Sequence, residues 1–275
     1  MIIPRVTGYA LIAVAFLVTA CAQETQRRKT AEAYLGDAQK ALVEDKCWNA
    51  QQLFRNLLSD FPGSHLVDDA QYGLGQAYFC SGDFETAIFE YERLINEYPV
   101  SKFVDKARFQ IGMCYFNESR SIHHDQEETV RAIQEFTRFV EDFPNSDLAS
   151  EARKRINDLE EKLAQKDLMI ARNYLKWENP ASSEIFCRRM LEKYPDTGMG
   201  QEVRLVLARA LRLKGDLEEA LAILEDLASQ DMSEVRRNEV ETERERVKKT
   251  LSDRGPLPED GVTGQLAGEP EKPGV

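Results

Sequence analysis

The sequence predicts an all-α fold of about five stacked helical hairpins. An aromatic residue followed by proline occurs four times, at Phe61-Pro62, Tyr98-Pro99, Phe143-Pro144 and Tyr194-Pro195. Small residues lie twelve positions before each proline, and mostly apolar residues lie eight and five positions before it, as one face of a helix requires. A single hairpin cannot bury its apolar face alone, so this repetition indicates a solenoid in which neighbouring copies cover one another.

The segment from Asp69 to Ser101 contains the most complete copy. Its signature positions are those of a tetratricopeptide repeat: Leu74, Gly75, Tyr78, Ala87, Tyr91, Leu94 and Pro99. Gly75 and Ala87 are expected to be small because the two helices cross closely there, and Gly82 is expected to adopt the positive φ that ends the first helix. Because Pro99 lacks an amide donor, it ends the second helix. We therefore predict a tetratricopeptide-repeat superhelix.

Five copies divide the predicted solenoid, 30–232, and their approximate bounds are 30–66, 67–103, 104–147, 148–197 and 198–231. The third copy has extra residues in its turn, at 121–129, and the fourth has extra residues within one long helix over 148–177. The fifth lacks the proline but keeps Gly215-Asp216. A charged helix over 233–251 is expected to cap the array as a solvated element. The segment 252–275, rich in proline and glycine, is predicted to be disordered.

Residues 1–20 resemble an export signal rather than part of the fold. Arg5 precedes an apolar run that is shorter than a bilayer span and ends in small residues. An uncleaved membrane anchor is the less favoured alternative. The sequence Val18-Thr19-Ala20-Cys21 resembles the bacterial lipobox, which implies a diacylglyceryl thioether and an acyl group on Cys21. Residues 21–29 would then be a lipidated tether, and Ala22, in place of an aspartate, implies the periplasmic face of the outer membrane.

Composition argues against several classes of function. The chain of 275 residues has a formal net charge of −12, which disfavours nucleic-acid binding because phosphate contacts need a basic surface. It contains no phosphate loop, dinucleotide fingerprint, HExxH motif or nucleophile elbow, so we predict no enzymatic activity and no cofactor beyond the lipid on Cys21. The adjacent His123 and His124 lack further ligands at the spacing of a zinc site, so no metal is expected.

The remaining four cysteines follow no zinc or CxxC pattern. Cys187 occupies a core position of the fourth copy and is predicted to be a small buried apolar residue. Cys47 and Cys80 both lie near turns of neighbouring copies. A disulfide between these two is the less favoured alternative to free thiols.

A candidate peptide-binding groove follows from the convention that the first helix of each tetratricopeptide repeat lines the concave face. The outward positions of the second and third copies are Tyr72, Gln76, Phe79, Phe109, Met113 and Phe116, and those of the first copy include Leu35, Gln39 and Leu42. Aromatic and methionine side chains suit an extended peptide that carries aromatic residues. Packing against neighbouring helices remains an equal alternative for Phe79 and Phe116, whereas a binding surface is favoured for Tyr72 and Phe109.

The order of these features resembles the BamD-type lipoproteins of the outer-membrane β-barrel assembly machinery. The features that carry the resemblance are the lipobox cysteine, the five repeats, the insertion Asp125-Gln126…Thr129, Phe143-Pro144-Asn145-Ser146, the long helix with Ala171 to Lys176, and Tyr194-Pro195-Asp196-Thr197. The resemblance covers about Cys21 to Ala228. It departs from the family pattern over Trp177 to Ser183, where Asn179-Pro180 replaces an Arg-Gly-aromatic turn.

The resemblance implies a non-enzymatic scaffold that is lipid-anchored at the outer membrane. Its N-terminal repeats would bind the aromatic-ended C-terminal signal of unfolded outer-membrane protein clients. Its C-terminal repeats would dock on a periplasmic domain of an Omp85-type barrel insertase, together with other assembly lipoproteins. The alternatives are a repeat lipoprotein that coordinates the Tol–Pal machinery and a lipoprotein scaffold for cell-wall enzymes, and only the identity of the partners separates them.

Overall fold

The computed structural model describes residues 29–195 and 197–254, which form eleven α-helices and no β-strand. In chain order the helices are α1 (Ala31–Val43), α2 (Cys47–Asp60), α3 (Val67–Cys80), α4 (Phe84–Glu97), α5 (Val104–Glu118), α6 (Glu127–Asp142), α7 (Ala149–Lys176), α8 (Pro180–Lys193), α9 (Gly200–Lys214), α10 (Leu217–Ala228) and α11 (Glu234–Arg254). The first ten form five hairpins, which confirms the predicted all-α repeat fold. The chain divides into two compact units within α7, one ending at Glu160 and the other beginning at Glu161.

The second helix of each hairpin buries the face that the prolines predict. The residues twelve, eight and five positions before the four prolines all expose 2% or less of their surface: Ala50, Phe54, Leu57, Ala87, Tyr91, Leu94, Ala132, Phe136, Phe139, Ser183, Cys187 and Met190. In the fifth hairpin, Ala220, Leu224 and Leu227 are equally buried. The core of each hairpin is therefore the one that the repeat pattern predicts, including the burial of Cys187.

Two glycines allow an aromatic ring of the second helix to approach the backbone of the first. A Cβ placed on Gly75 would lie 2.5 Å from the ring of Tyr91, and a Cβ on Gly112 would lie 2.7 Å from the ring of Phe136. Ordinary carbon–carbon contacts are about 3.5–4.0 Å. Glycine is required at these two positions because a fully buried aromatic ring occupies the space of its Cβ. The close contact is therefore with Tyr91 or Phe136, and not with the alanine of the second helix as predicted.

Serines after the prolines join successive hairpins. Tyr98 closes α4 by donating its amide to the carbonyl of Leu94 at 2.9 Å, and the chain then turns through Pro99. The hydroxyl of Ser101 accepts the amide of Phe103 at 3.2 Å and donates to Oδ2 of Asp68 at 2.7 Å. Ser146 donates to Asp105 in the same way at 2.9 Å. The proline thus ends one helix, and the serine holds the start of the next helix against the preceding hairpin.

Four of the five turns within hairpins contain a residue in the left-handed backbone conformation. Gly82 has φ of 77° and Gly215 has φ of 94°, as expected for residues that end a helix cheaply. The equivalent positions in the first and fourth hairpins are Asp45, with φ of 54°, and Glu178, with φ of 56°. A glutamate in this conformation is strained because its Cβ crowds the backbone.

Replacing Glu178 by glycine is expected to raise the free energy of unfolding by about 1 kcal/mol, because glycine adopts positive φ without steric cost. The side chain of Glu178 is exposed, so little else is lost. Urea unfolding followed by circular dichroism measures the difference. Glu178→Ala is the control, since alanine keeps the Cβ and should give no gain; an equal gain for both variants would contradict the backbone explanation.

The fourth hairpin and the last described helix differ in length from the other elements. Helix α7 has 28 residues, twice the length of α3, as the insertion in the fourth copy predicts. Asn179 accepts the amide of Ser182 at 3.1 Å, and Pro180 takes the first position of α8. Helix α11 continues to Arg254, so the predicted tail begins three residues too early. The rest of that tail, the export signal, the lipidated Cys21 and most of the tether lie outside the described residues.

Candidate functional site

The predicted groove residues form three sets on the first helices of the first three hairpins, α1, α3 and α5. Within each set, equivalent residues are 37 positions apart: Leu35, Tyr72 and Phe109; Gln39, Gln76 and Met113; Leu42, Phe79 and Phe116. In the second and third hairpins, the structure separates the first set from the other two, whereas Leu35 of the first hairpin is half-buried. Tyr72 and Phe109 are buried, whereas Gln76, Phe79, Met113 and Phe116 are half-buried.

The expectation that Tyr72 is an exposed groove residue is wrong. Only 9% of Tyr72 is exposed, because its ring stacks on Phe103 with a centroid distance of 4.7 Å and an interplanar angle of 7°. Its ring centroid also lies 5.8 Å from that of the core residue Tyr91. Burial raises the pKa of the Tyr72 phenol. Tyr72 therefore fills the space between its own hairpin and the start of the next.

The same correction applies to Phe109, of which 7% is exposed. Its ring centroid lies 5.4 Å from that of Phe136 and 5.6 Å from that of Phe139, both on α6. Edge and tilted contacts of this kind are typical of aromatic cores. Phe109 thus stabilises the third hairpin and is not available to a peptide.

The half-buried residues keep part of their surface open. Phe79 packs edge-on against Phe84 with a centroid distance of 5.3 Å. Phe116 lies under the guanidinium of Arg155, which is 4.8 Å from its ring centroid. The Arg155 guanidinium also pairs with Glu151 at 2.7 Å, and its Nε makes no hydrogen bond within the described part of the chain. Arg155 therefore places a cation beside the aromatic ring of Phe116, a neighbour that the repeat pattern does not indicate.

The insertion of the third copy is an ordered turn. Asp125 accepts the amide of Glu127 at 3.1 Å at the start of α6, and Thr129 is buried within that helix. Gln126, which is 6% exposed, donates from Nε2 to the carbonyls of Ser121 at 2.9 Å and His124 at 3.1 Å. The buried side-chain amide of Gln126 thus holds the turn together. The sequence did not indicate this role, because the insertion is present in only one of the five copies.

The preference for four free thiols is wrong for one pair. Cys47 and Cys80 form a disulfide with a Cα–Cα distance of 5.7 Å. Cys47 begins α2 and Cys80 ends α3, and adjacent antiparallel helices place these two ends at the same edge. Cys114 and Cys187 are free and buried, and burial raises the pKa of each thiol to about 12.

Helix α11 differs from the solvated cap that its charge pattern predicts. Val240, Glu243 and Val247 are buried on one face. Glu243 is 1% exposed, and its carboxylate accepts from Arg212 at 2.5 Å and from Arg246 at 3.1 Å. The spacing of 240, 243 and 247 is helical, so a signal was present, but the surrounding charged residues obscured it.

Two further findings concern metal binding and membrane spans. Among the described residues, no group of three or more His, Cys, Asp or Glu is arranged to hold a metal ion. No helix within 29–195 or 197–254 combines the length and apolar character needed to cross a bilayer.

The chain resembles known proteins over most of its length. It is 24% identical over 179 residues to the outer membrane protein assembly factor BamD of Rickettsia prowazekii, which is 65% of this chain and 71% of that protein. It is 27% identical over 217 residues to the BamD of Neisseria gonorrhoeae, which is 74% of this chain and 81% of that protein.

The solved structure of a tetratricopeptide repeat protein from Parabacteroides merdae aligns with a TM-score of 0.38 and 15% identity, covering 81% of this chain and 73% of that one. A TM-score below 0.5 does not establish a common fold, so the repeat assignment depends on the hairpins described above.

The family model described as "YfiO: Outer membrane lipoprotein" matches residues 27–228, most of the chain. This chain belongs to the YfiO family of outer membrane lipoproteins.

Proposed function

We propose that this protein is a lipid-anchored, non-enzymatic scaffold for the assembly of β-barrel proteins in the outer membrane. The observation that carries the proposal is the family match over residues 27–228, together with relatives named as outer membrane protein assembly factors. In this proposal, Cys21 carries the lipid that holds the protein on the periplasmic face of the outer membrane. The N-terminal hairpins bind unfolded clients, and the C-terminal hairpins bind an Omp85-type insertase alongside other assembly lipoproteins.

The client-binding surface in this proposal consists of Gln76, Phe79, Met113 and Phe116. Two features support this choice: the four side chains are half-buried, and they recur at the same offset on α3 and α5. A client segment that ends in an aromatic residue would place its ring against Phe79 or Phe116. The Arg155 guanidinium, beside Phe116, would attract the terminal carboxylate of that segment.

Affinity purification of the full-length protein from cross-linked membranes, followed by mass spectrometry, tests the proposal. We expect an Omp85-type barrel protein and several outer-membrane barrel clients among the strongest partners. Recovery of Tol–Pal components or cell-wall synthases in their place would overturn the assembly function while leaving the fold unchanged.

The double variant Gln76→Glu with Met113→Glu tests the surface in the same experiment. Two carboxylates beside an apolar client segment would have to lose water on binding, so we expect client recovery to fall by at least about tenfold. Insertase recovery should be unchanged. The control is Phe89→Glu, which places one such carboxylate at a 61% exposed aromatic position on α4 and should retain both partners. Full client recovery by a folded double variant would refute this surface.

A further inference from the structure

The first hairpin lacks a contact that is present in the next two. In the second hairpin, Ser101 donates to Asp68 at 2.7 Å, and in the third, Ser146 donates to Asp105 at 2.9 Å. The residue 37 positions before Asp68 is Ala31, which has no carboxylate to accept such a bond. In the first hairpin, this side-chain contact therefore does not join the start of α1 to the turn after α2.

A cleft of about 930 Å³ lies at this place, between the start of α1 and the turn after α2. Its walls include the rings of Tyr34 and Phe61, whose centroids are 6.2 Å apart. They also include two carboxylates, Glu32 on the first turn of α1 and Asp60 at the end of α2. The cleft thus combines two aromatic rings with two acidic side chains.

The two carboxylates of this cleft have no cationic partner. Both Glu32 and Asp60 are exposed, and neither forms an ion pair within 29–195 or 197–254. Hydrogen bonds from its own backbone amide and from Thr30 lower the pKa of Glu32, so this side chain is ionised at neutral pH. Among the residues that line the cleft, Lys29 is the one cation, and its ammonium group donates to Asp37 at 2.7 Å. The negative charge of the cleft is therefore available to a further cation.

The chain itself places two cations beside the cleft. Arg27 and Arg28 directly precede Lys29, which lines the cleft. Successive Cα atoms are about 3.8 Å apart, so the backbone of both arginines lies within about 8 Å of that of Lys29. A guanidinium group pairs with carboxylates and also stacks on aromatic rings. Lys29 already makes one contact of the second kind, since its Nζ lies 5.7 Å from the centroid of the Tyr34 ring.

We propose that Arg27 and Arg28 bind in this cleft and pair with its two carboxylates. The segment before α1 is then fixed to the first hairpin, which sets the direction in which the chain leaves the fold. This inference extends the proposed function, in which Cys21, six residues before Arg27, carries the lipid. With that lipid in place, the edge formed by the start of α1 and the turn after α2 faces the bilayer. The contact itself requires neither the lipid, nor a client, nor the insertase.

Limited digestion with trypsin tests the proposal on the full-length protein, extracted from membranes in a neutral detergent. Trypsin cleaves after arginine, and an arginine bound in the cleft must leave it before cleavage. The variant Glu32→Gln with Asp60→Asn removes both charges of the cleft at exposed positions and should fold normally. We expect cleavage after Arg27 and Arg28, followed by mass spectrometry, to be about fivefold faster in this variant.

A matched control and a second measurement separate this contact from a general change of charge. Glu92→Gln with Glu141→Gln removes two exposed carboxylates on α4 and α6, outside the cleft, and should leave the cleavage rate unchanged. Raised salt should speed cleavage of the parent chain but not of the cleft variant. In thermal melting, Arg27→Gln with Arg28→Gln should add little to the effect of the cleft variant, because both pairs of substitutions remove the same contact.

Three results would overturn the proposal. The first is an equal cleavage rate in the parent chain and the cleft variant, with circular dichroism showing that both are folded. The second is full additivity of the two pairs of substitutions in thermal melting. The third is protection that appears only after phosphatidylglycerol is added and persists in the cleft variant, which would assign the arginines to the membrane surface. None of these measurements uses client or insertase recovery, so failure here is distinguishable from failure of the proposed function.

Discussion

Replacing Tyr72 and Phe109 together by alanine is expected to lower the free energy of unfolding by about 6 kcal/mol or more. Each substitution removes a buried ring and leaves a cavity, which typically costs about 3–5 kcal/mol. The two residues belong to separate clusters, one around Tyr91 and one around Phe136, so their effects should be nearly additive. A loss of this size is comparable with the whole stability of a typical domain.

Equilibrium unfolding in urea, on the single and double variants, measures these losses. The matched control is Phe89→Ala, which truncates an aromatic residue that is 61% exposed and should change stability by no more than about 0.5 kcal/mol. A double variant as stable as the parent chain would place both rings at the surface and would restore them as groove candidates. Loss of client binding by this variant would reveal nothing about a binding site, because it would accompany unfolding.

Removing the disulfide by Cys47→Ser with Cys80→Ser is expected to lower the free energy of unfolding by about 3–4 kcal/mol. The bridge spans 33 residues of sequence, and closing a loop of that length restricts the unfolded chain by roughly this amount. It joins the first and second hairpins, so the N-terminal edge of the first unit should be the part most affected. The melting temperature should fall by roughly 10 °C.

Reduction provides the matched control for this prediction. Dithiothreitol should destabilise the parent chain by the same amount as the double substitution and should leave the double variant unaffected. Cys114 and Cys187 are buried with raised pKa values, so they should not react with thiol reagents in the folded protein at neutral pH. A melting temperature of the parent chain that does not respond to reductant would show that the bridge does not form.

The local sequence pattern was sufficient to predict the hairpins and the residues of their cores. The residues before Pro62, Pro99, Pro144 and Pro195 could be assigned to the buried face because burial there depends on periodicity within one helix. The left-handed Gly82 and the lengthened α7 followed from the same short-range reasoning. In each case, the assignment uses only the spacing of residues within one helix or one turn.

The sequence by itself therefore determined the repeat and the buried positions of the second helices. Only the tertiary structure decided which residues of the first helices are covered, because that depends on side chains of other elements: Phe103 covers Tyr72, Phe136 and Phe139 cover Phe109, and Arg155 covers part of Phe116. The Cys47–Cys80 bridge and the burial of Glu243 likewise depend on helix ends and faces that meet across hairpins. Periodicity describes one helix at a time, whereas contact between side chains on different hairpins depends on how those hairpins pack.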